Sequence, residues 1–314
     1  MNRGRWALVG VYVALVGLHA TLLRLPYFWD EAGYYVFAAL DVFRHGWVIP
    51  HSTLANGHPP LLSLYLSLAW MVGGFHPLVT RLAMLGWAAA LVWGVYRLAG
   101  RHLDALAAAL AAGLVGLTPL VFAQSTLAQL DLPVAALVVW ALAVENGWAA
   151  VGLLTAACLM KETAVLAPLT LAAWDVWHYR RLRQHWLIPV LVLGAWFAIY
   201  HHVTGYWFGN PQYFAYNLST TAGSLPRIGL ALLRRCWQLA IYDGTGLLTL
   251  LAAVAWWRAG KPRSRIPGGW WAIMAVYLVF HALVGGAVLA RYLLPALALF
   301  YIALAEWLVR LPKP

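Results

Sequence analysis

Carboxylates are scarce in this chain: Asp and Glu together number 10 in 314 residues, and charged residues of all kinds make up only 10%. A soluble globular domain carries about 25% charged residues, so a surface wetted on all sides is excluded. Cysteine is nearly absent, and Cys158 and Cys236 lie far apart in sequence, so no disulfide framework or metal-type spacing can be read. They read as packing residues. Low-complexity tracts, an evident internal repeat and the strict alternation of barrel strands are also missing. What fills the chain is apolar, with 63% hydrophobic residues in runs near the ~20 residues that a helix needs to cross a ~30 Å hydrocarbon layer. The fold expected is all-α, a polytopic membrane helical bundle forming a single integral-membrane domain over residues 1–314.

Spans are expected near residues 6–25, 60–75, 78–98, 104–122, 127–144, 148–175, 186–203, 243–257, 270–287 and 292–309, about ten in all. The first run follows Arg3 and Arg5, is long for a signal-peptide core and lacks a small-x-small cleavage site, so it reads as an uncleaved signal anchor. The basic stretches 178–185 and 258–265 should face the cytoplasm with both termini. The outer side then receives the 26–59 loop, a second loop over 205–242, and the start of the last span at Arg291. One loop disagrees. Arg97, Arg101 and His102 fall outside in this count, so either the second or third span is misdrawn or those cations meet lipid phosphates. Residues 226–242, which carry Arg234 and Arg235 in an apolar helix, suit an interfacial amphipathic helix. Loops take up most of the net charge of +11, where topology and anionic membrane lipids account for it, and nucleic acid is not needed as a partner.

With so few acids, the adjacent pair in "YFWDEAGYY" (27–35) stands out. Asp30 and Glu31 open an amphipathic segment running to about His45, with Tyr34, Phe37, Leu40 and Phe43 available for an apolar face. Asp30 could simply cap that helix, with Glu31 adding first-turn charge. Lys161 and Glu162 interrupt the middle of the 148–175 run. A lone Lys there costs ~2.5–3.5 kcal/mol on insertion scales, so it faces a polar cavity or pairs with a carboxylate. Arg291 at the outer end of the last span could snorkel to the surface or bind an anion. Asp131, just before Leu132 and Pro133, has the look of a helix start. His51 and His58, with Asp30 and Glu31, could hold a divalent metal, though their spacing matches no rigid ligand motif and no cofactor is fixed by the sequence. Tyr213 and Asn217, in an aromatic outer segment, suit either a membrane-interface belt or stacking under a sugar ring.

Taken in order, several pieces form a pattern: Asp30-Glu31 followed by Tyr34, then Gly46-Trp47 with Ile49-Pro50-His51, then Asn56-Gly57 leading into Pro59-Pro60-Leu61, then Gly74 with Arg81-Leu82. "LAQLDLPVAAL" around Asp131, "LMKETAVLAPL" around Lys161 and "ARYLLPALA" around Arg291 follow. This ordered set resembles the type-C, polyprenyl-phosphate-dependent membrane glycosyltransferases, nearest the group of protein O-mannosyltransferases and lipid A aminoarabinose transferases. It spans about residues 6–175 plus the Arg291 region. His58 stands where that group usually has Lys before the Pro-Pro pair, and the chain is short for the group.

The resemblance implies a polyprenyl-phosphate-linked sugar as donor and a lipid, glycan or protein as acceptor. It also implies a multi-pass protein of the inner (plasma) membrane with its active site on the outer, periplasmic side. Displacement at the anomeric carbon needs a base near the nucleophile and cations near the departing phosphate. Asp30 suits the base, with Glu31 in support. Lys161 and Arg291 suit the phosphate, and His58, Tyr34, Asp131, Arg81, Tyr213 and Asn217 are further substrate-binding candidates. A transporter or flippase of a lipid-linked sugar would also want Lys161 and Glu162, and a noncatalytic subunit of a glycan assembly complex would leave Asp30 dispensable.

Overall fold

The structure, a computed structural model, describes residues 2–54, 56–212, 215, 224–284 and 288–310. Helices follow one another with no strand among the described residues. They are α1 (Asn2–Leu18), α2 (Val36–His45), α3 (Leu61–Gly73), α4 (Pro77–Ala99), α5 (Ala105–Leu117), α6 (Pro119–Gln124), α7 (Asp131–Ala143), α8 (Gly147–Met160), α9 (Leu166–Tyr179), α10 (Ile188–Thr204), α11 (Leu225–Ala240), α12 (Gly246–Arg258), α13 (Gly268–Leu283) and α14 (Leu294–Leu308). By length and composition, Pro77–Ala99, Gln184–Thr204 and Ala290–Leu308 can each cross a membrane, and α11 with α12 would make a fourth span, bent by 103°.

Local chemistry sets the helix ends. His76 Nδ1 accepts the Leu78 amide ahead of Pro77, Asp104 Oδ1 accepts the Ala107 amide, and Asn146 Oδ1 accepts those of Trp148 and Ala149. The run expected as one span over 148–175 is two helices. Lys161 is extended (φ −154°, ψ 135°) and a 3₁₀ turn, Glu162–Val165, leads into α9. Pro168, with no N–H to give to Ala164, falls in the first turn of α9, where that donor would have no partner within the helix.

The bundle has two distinct ends. The Tyr12 hydroxyl of α1 donates to Leu82 O of α4, whereas Gly4 lies against Trp93, so the two helices run antiparallel. The start of α4 therefore sits beside the loop that follows α1. Helix α3 crosses only the nearer half of α4: Trp70 Nε1 donates to Thr80 Oγ1 (2.8 Å), the Tyr65 hydroxyl to Ala83 O (2.7 Å), and the Tyr65 ring lies 5.3 Å from that of Trp87. The expected span at 60–75 is thus a helix that stays at one end of the bundle. This removes the disagreement over Arg97, Arg101 and His102, which lie at the same end as the start of α1. That far end also holds Arg101 on the carbonyl of Ala143 (2.6 Å), Arg183 on Asp175 (2.6 Å), and the buried Glu306, which accepts the Arg265 amide (2.8 Å).

Two features invert ordinary soluble-protein patterning. In α11 the large apolar residues Leu225, Leu230 and Leu233 are exposed while Arg235 and Gln238 are buried. Arg234 stays outside, as an interfacial helix predicts, but Arg235 turns inward. The first loop also departs from expectation: Glu31–Tyr35 forms a π-helical turn before α2. The wider turn rotates the face that packs inward, so Val36 and Ala39 are buried and Phe37 is exposed.

Beyond α2, Gly46 turns the chain at φ 74° and Asp41 Oδ2 accepts the amides of His51 (2.7 Å) and Ser52 (2.9 Å). Burial opposes ionisation of Asp41, but the amides of Ser52 and His51 outweigh it and hold the carboxyl below its usual range. Asp41→Ala should cost ~1–3 kcal/mol, the loss of two charge-assisted hydrogen bonds to the amides of the exposed residues His51 and Ser52. Because the folded-state pKa is depressed, the wild-type advantage is fully present above the ordinary carboxylate range. It should vanish as pH falls through the depressed value. Thermal melts of both proteins in micelles, at neutral and acid pH, check magnitude and sign.

Candidate active site

The site forms where the first loop meets the starts of α4, α7 and α14 and the break between α8 and α9. Trp29 turns the chain in the left-handed region (φ 54°), an unusual place for a bulky residue, and the π-turn begins directly after Asp30. Asp30 makes no capping hydrogen bond with its side chain. It reaches across the bundle instead, where Arg291 Nη2 donates to its Oδ2 at 2.5 Å. Arg291 Nε lies 3.2 Å from Asp131 Oδ2, and Lys161 Nζ donates to Asp131 Oδ1 at 2.6 Å. The four groups make one chain of alternating charge, Asp30, Arg291, Asp131, Lys161. Only Asp30 keeps substantial exposure, 36% of its side chain against 11% for Arg291 and 7% for both Asp131 and Lys161.

Asp131 belongs to this chain and caps nothing with its side chain, and Arg291 is bound rather than snorkelling. Adjacent residues project in different directions, and Lys161 and Glu162 accordingly take different partners. Glu162 Oε2 lies 2.7 Å from His58 Nδ1, so His58 is oriented by a carboxylate. The loop carrying His58 is fixed by close backbone approach: a Cβ on Gly57, which has φ +79°, would lie 2.8 Å from the Gly209 nitrogen, and Trp196 Nε1 donates to Gly57 O (3.2 Å).

Glu31 and Arg81 are paired away from the solvent, at 0% and 1% exposure. Arg81 Nη1 and Nη2 donate to the two Glu31 oxygens, and the same guanidinium bonds Thr126 O (2.8 Å) and Pro26 O (2.9 Å). The Ala128 amide completes the Glu31 carboxylate at 2.6 Å. Both residues therefore act from beneath the site, tying the loop to α4 and to the segment before α7. Tyr34 is half-buried in the π-turn. Tyr213 and Asn217 lie outside the described residues. Asp30, Glu31, His51 and His58 do not converge on one point: Asp30, Glu31 and His58 pair with Arg291, Arg81 and Glu162, and the His51 ring lies 4.6 Å from that of Trp47. No group of three potential ligands occurs among the described residues.

Sequence reasoning missed two neighbours. The ring of Tyr292 has Lys161 Nζ 4.0 Å from its centre, with the guanidiniums of Arg291 at 5.8 Å and Arg235 at 6.0 Å. Arg235 donates to Gln238 Oε1 (2.9 Å) and Leu289 O (2.8 Å). The signal for it was available: Ala231, Arg235, Gln238 and Leu239 make a helical stripe that an outward-facing apolar side leaves pointing in.

Residues 57–207 match the family model described as dolichyl-phosphate-mannose-protein mannosyltransferase. The fold matches the crystal structure of ArnT from Cupriavidus metallidurans bound to undecaprenyl phosphate with a TM-score of 0.74 at 18% identity, covering 97% of this chain and 60% of that one. The chain resembles the type-C, polyprenyl-phosphate-dependent membrane glycosyltransferases. Against the apo form of the same ArnT the TM-score is 0.66 at 19% identity, with the same coverage of 97% and 60%. The chain thus spans less than two thirds of the length of the solved proteins it matches. Comparison with curated protein sequences finds no match.

Removing one partner of a buried ion pair strands the other. Arg81→Met, and separately Glu31→Gln, should each destabilise by ~3–5 kcal/mol, whereas the double replacement should cost less than the sum of the two. Melts of the four proteins in micelles measure that coupling. Additive losses would refute a structural role for the pair.

Proposed function

We propose that this chain is a membrane glycosyltransferase that moves a sugar from a polyprenyl-phosphate donor to a lipid, glycan or protein acceptor. The observation that carries the reading is the convergence of Lys161 and Arg291 on Asp131, beside Asp30 and at one end of an apolar bundle. Two low-exposure cations in one place suit a phosphate that must leave with an extra negative charge. His58, turned by Glu162, is a further polar group at the same end, and Tyr34 lies in the π-turn where a sugar would be reached.

In the proposed step an acceptor oxygen or nitrogen forms a bond to the anomeric carbon. The bond from that carbon to the phosphate oxygen breaks, and its electron pair departs with polyprenyl phosphate. Asp30 takes the acceptor's proton. Glu31 and Arg81 serve by fixing the backbone that presents Asp30.

The membrane topology follows by charge. With the site end outside, Arg97, Arg101, the 178–185 loop and the 258–265 loop all fall on the cytoplasmic side, as the positive-inside rule requires. We read ten crossings, made by α1, α4, α5, α7 to α10 and α12 to α14, with α2, α3 and α11 at the outer, periplasmic face of the inner membrane. A cysteine introduced at Ser52 should react with an impermeant probe from outside, and one at Ser264 should not. The opposite result would reverse the orientation.

Asp30→Asn keeps the size of the side chain and removes its basicity. It should fold and bind donor yet transfer sugar at least ~10²-fold more slowly. Lys161→Met should weaken donor binding. Transfer by Asp30→Asn near the wild-type rate, measured with radiolabelled polyprenyl-phosphate sugars, would sink the base assignment.

A further inference from the structure

Asp30 as a base and Asp30 as the partner of Arg291 are incompatible at one moment. A carboxylate oxygen held 2.5 Å from a guanidinium nitrogen is occupied by that donor and is not open to an acceptor hydroxyl or amine. Arg291, in turn, cannot offer a phosphate the nitrogen that Asp30 holds. The two carboxylates of the charge chain differ in how easily they can yield. Asp131 is 7% exposed and is held by Lys161 as well as Arg291, whereas the Asp30 side chain is 36% exposed at the entrance and makes no cap.

We infer that Asp30 is a stand-in for the donor's phosphate on Arg291, and that the phosphate must displace it before the reaction can occur. This rests on the donor being a polyprenyl phosphate, as proposed above. The exchange is balanced in charge. A phosphodiester carries one negative charge on two free oxygens and fits the guanidinium fork as a carboxylate does, so Lys161, Asp131, Arg291 and the phosphate keep the same sum as before. What changes is Asp30, which loses its cation and becomes a free carboxylate beside the anomeric carbon that hangs from the phosphate. Donor binding thus makes the base. An acceptor that arrives first meets an Asp30 whose carboxylate oxygen is still held by Arg291. The same competition discriminates among lipids, since a neutral prenol cannot displace a carboxylate from arginine.

The test reads binding and needs no turnover. Undecaprenyl phosphate and its uncharged analogue undecaprenol are titrated in detergent micelles at low ionic strength into wild type, Asp30→Asn, Arg291→Gln and the double variant. Relief from competition should make Asp30→Asn bind undecaprenyl phosphate roughly three- to tenfold more tightly than wild type, the size of one partly exposed ion pair. The gain should shrink as salt screens the site, disappear on the Arg291→Gln background, and be absent for undecaprenol. Equal or weaker binding by Asp30→Asn overturns the inference, as does a gain that survives loss of Arg291. Should Asp30→Asn fail to fold, the wild type still decides. The infrared carboxylate band of isotopically labelled Asp must shift when undecaprenyl phosphate is added, and an unchanged band overturns the inference. Wild type that does not bind undecaprenyl phosphate overturns it too. Tighter binding by Asp30→Asn in a protein that transfers no sugar would leave this inference standing and remove the proposed activity instead.

Discussion

A charge removed from water needs an opposite charge or a set of hydrogen bonds in its place, and this chain has only ten carboxylates to match its cations. Four of them, Asp30, Glu31, Asp131 and Glu162, gather at one end of the bundle on Arg291, Arg81, Lys161 and His58. The helices are otherwise apolar and could slide or rotate past one another at small cost in lipid, where burial of apolar surface gives little drive for association. The ion pairs remove that freedom. Glu31 links the first loop to α4 and to the segment before α7, while Asp131 and Arg291 link α7 to the start of α14 and, through Lys161, to the break after α8. Apart from Arg81, in the second turn of α4, each charged group sits at a helix terminus, in a loop or at a break, where the backbone departs from the helical ladder. Polar side chains and irregular backbone are thereby collected into the same volume, the arrangement that membrane depth tolerates only around a cavity or inside protein.

Much of this was legible in composition and order. Scarce acids in an apolar chain, an acidic pair just past the first apolar run and a Lys interrupting another apolar run pointed to the residues that the structure brings together. Three things were hidden, for physical reasons. Hydropathy sees the length of an apolar run and not its direction, so α3 looked like a crossing and α8 with α9 looked like a single one. The π-turn over Glu31–Tyr35 has no composition of its own. Its single extra residue moved the buried face of α2 from the predicted stripe that included Phe37 to one with Val36 and Ala39. Last, the inward turn of Arg235 depends on what surrounds α11: with hydrocarbon outside, the leucines face out and the polar stripe faces in, the reverse of a helix on a soluble core.

The disagreement left by the sequence was itself informative. Arg97, Arg101 and His102 fell at odds with the expected spans, and the antiparallel pairing of α1 with α4 puts them at the same end as the start of α1. Topology rules based on Lys and Arg constrain parity, so a single misplaced basic loop locates an error to the two spans before it. Here it is the second expected run, α3, that stays at the end of the bundle where α1 finishes and α4 begins.

The acidic pair divides its labour through burial. Glu31 receives donors from Arg81 and from the Ala128 amide and is closed to solvent, so its position is fixed by three hydrogen bonds. Asp30, one residue earlier, shares that backbone but opens at the entrance to the charge chain. Neighbouring residues in a helical turn project about 100° apart, so anchoring one places the other without enclosing it. The role proposed for Asp30, to release one partner and take up a proton, needs a fixed root and a free head. A lone carboxylate in a loop has the second without the first, and a fully buried one has the first without the second. Two adjacent carboxylates of unequal burial supply both, as the proposed role of Asp30 requires.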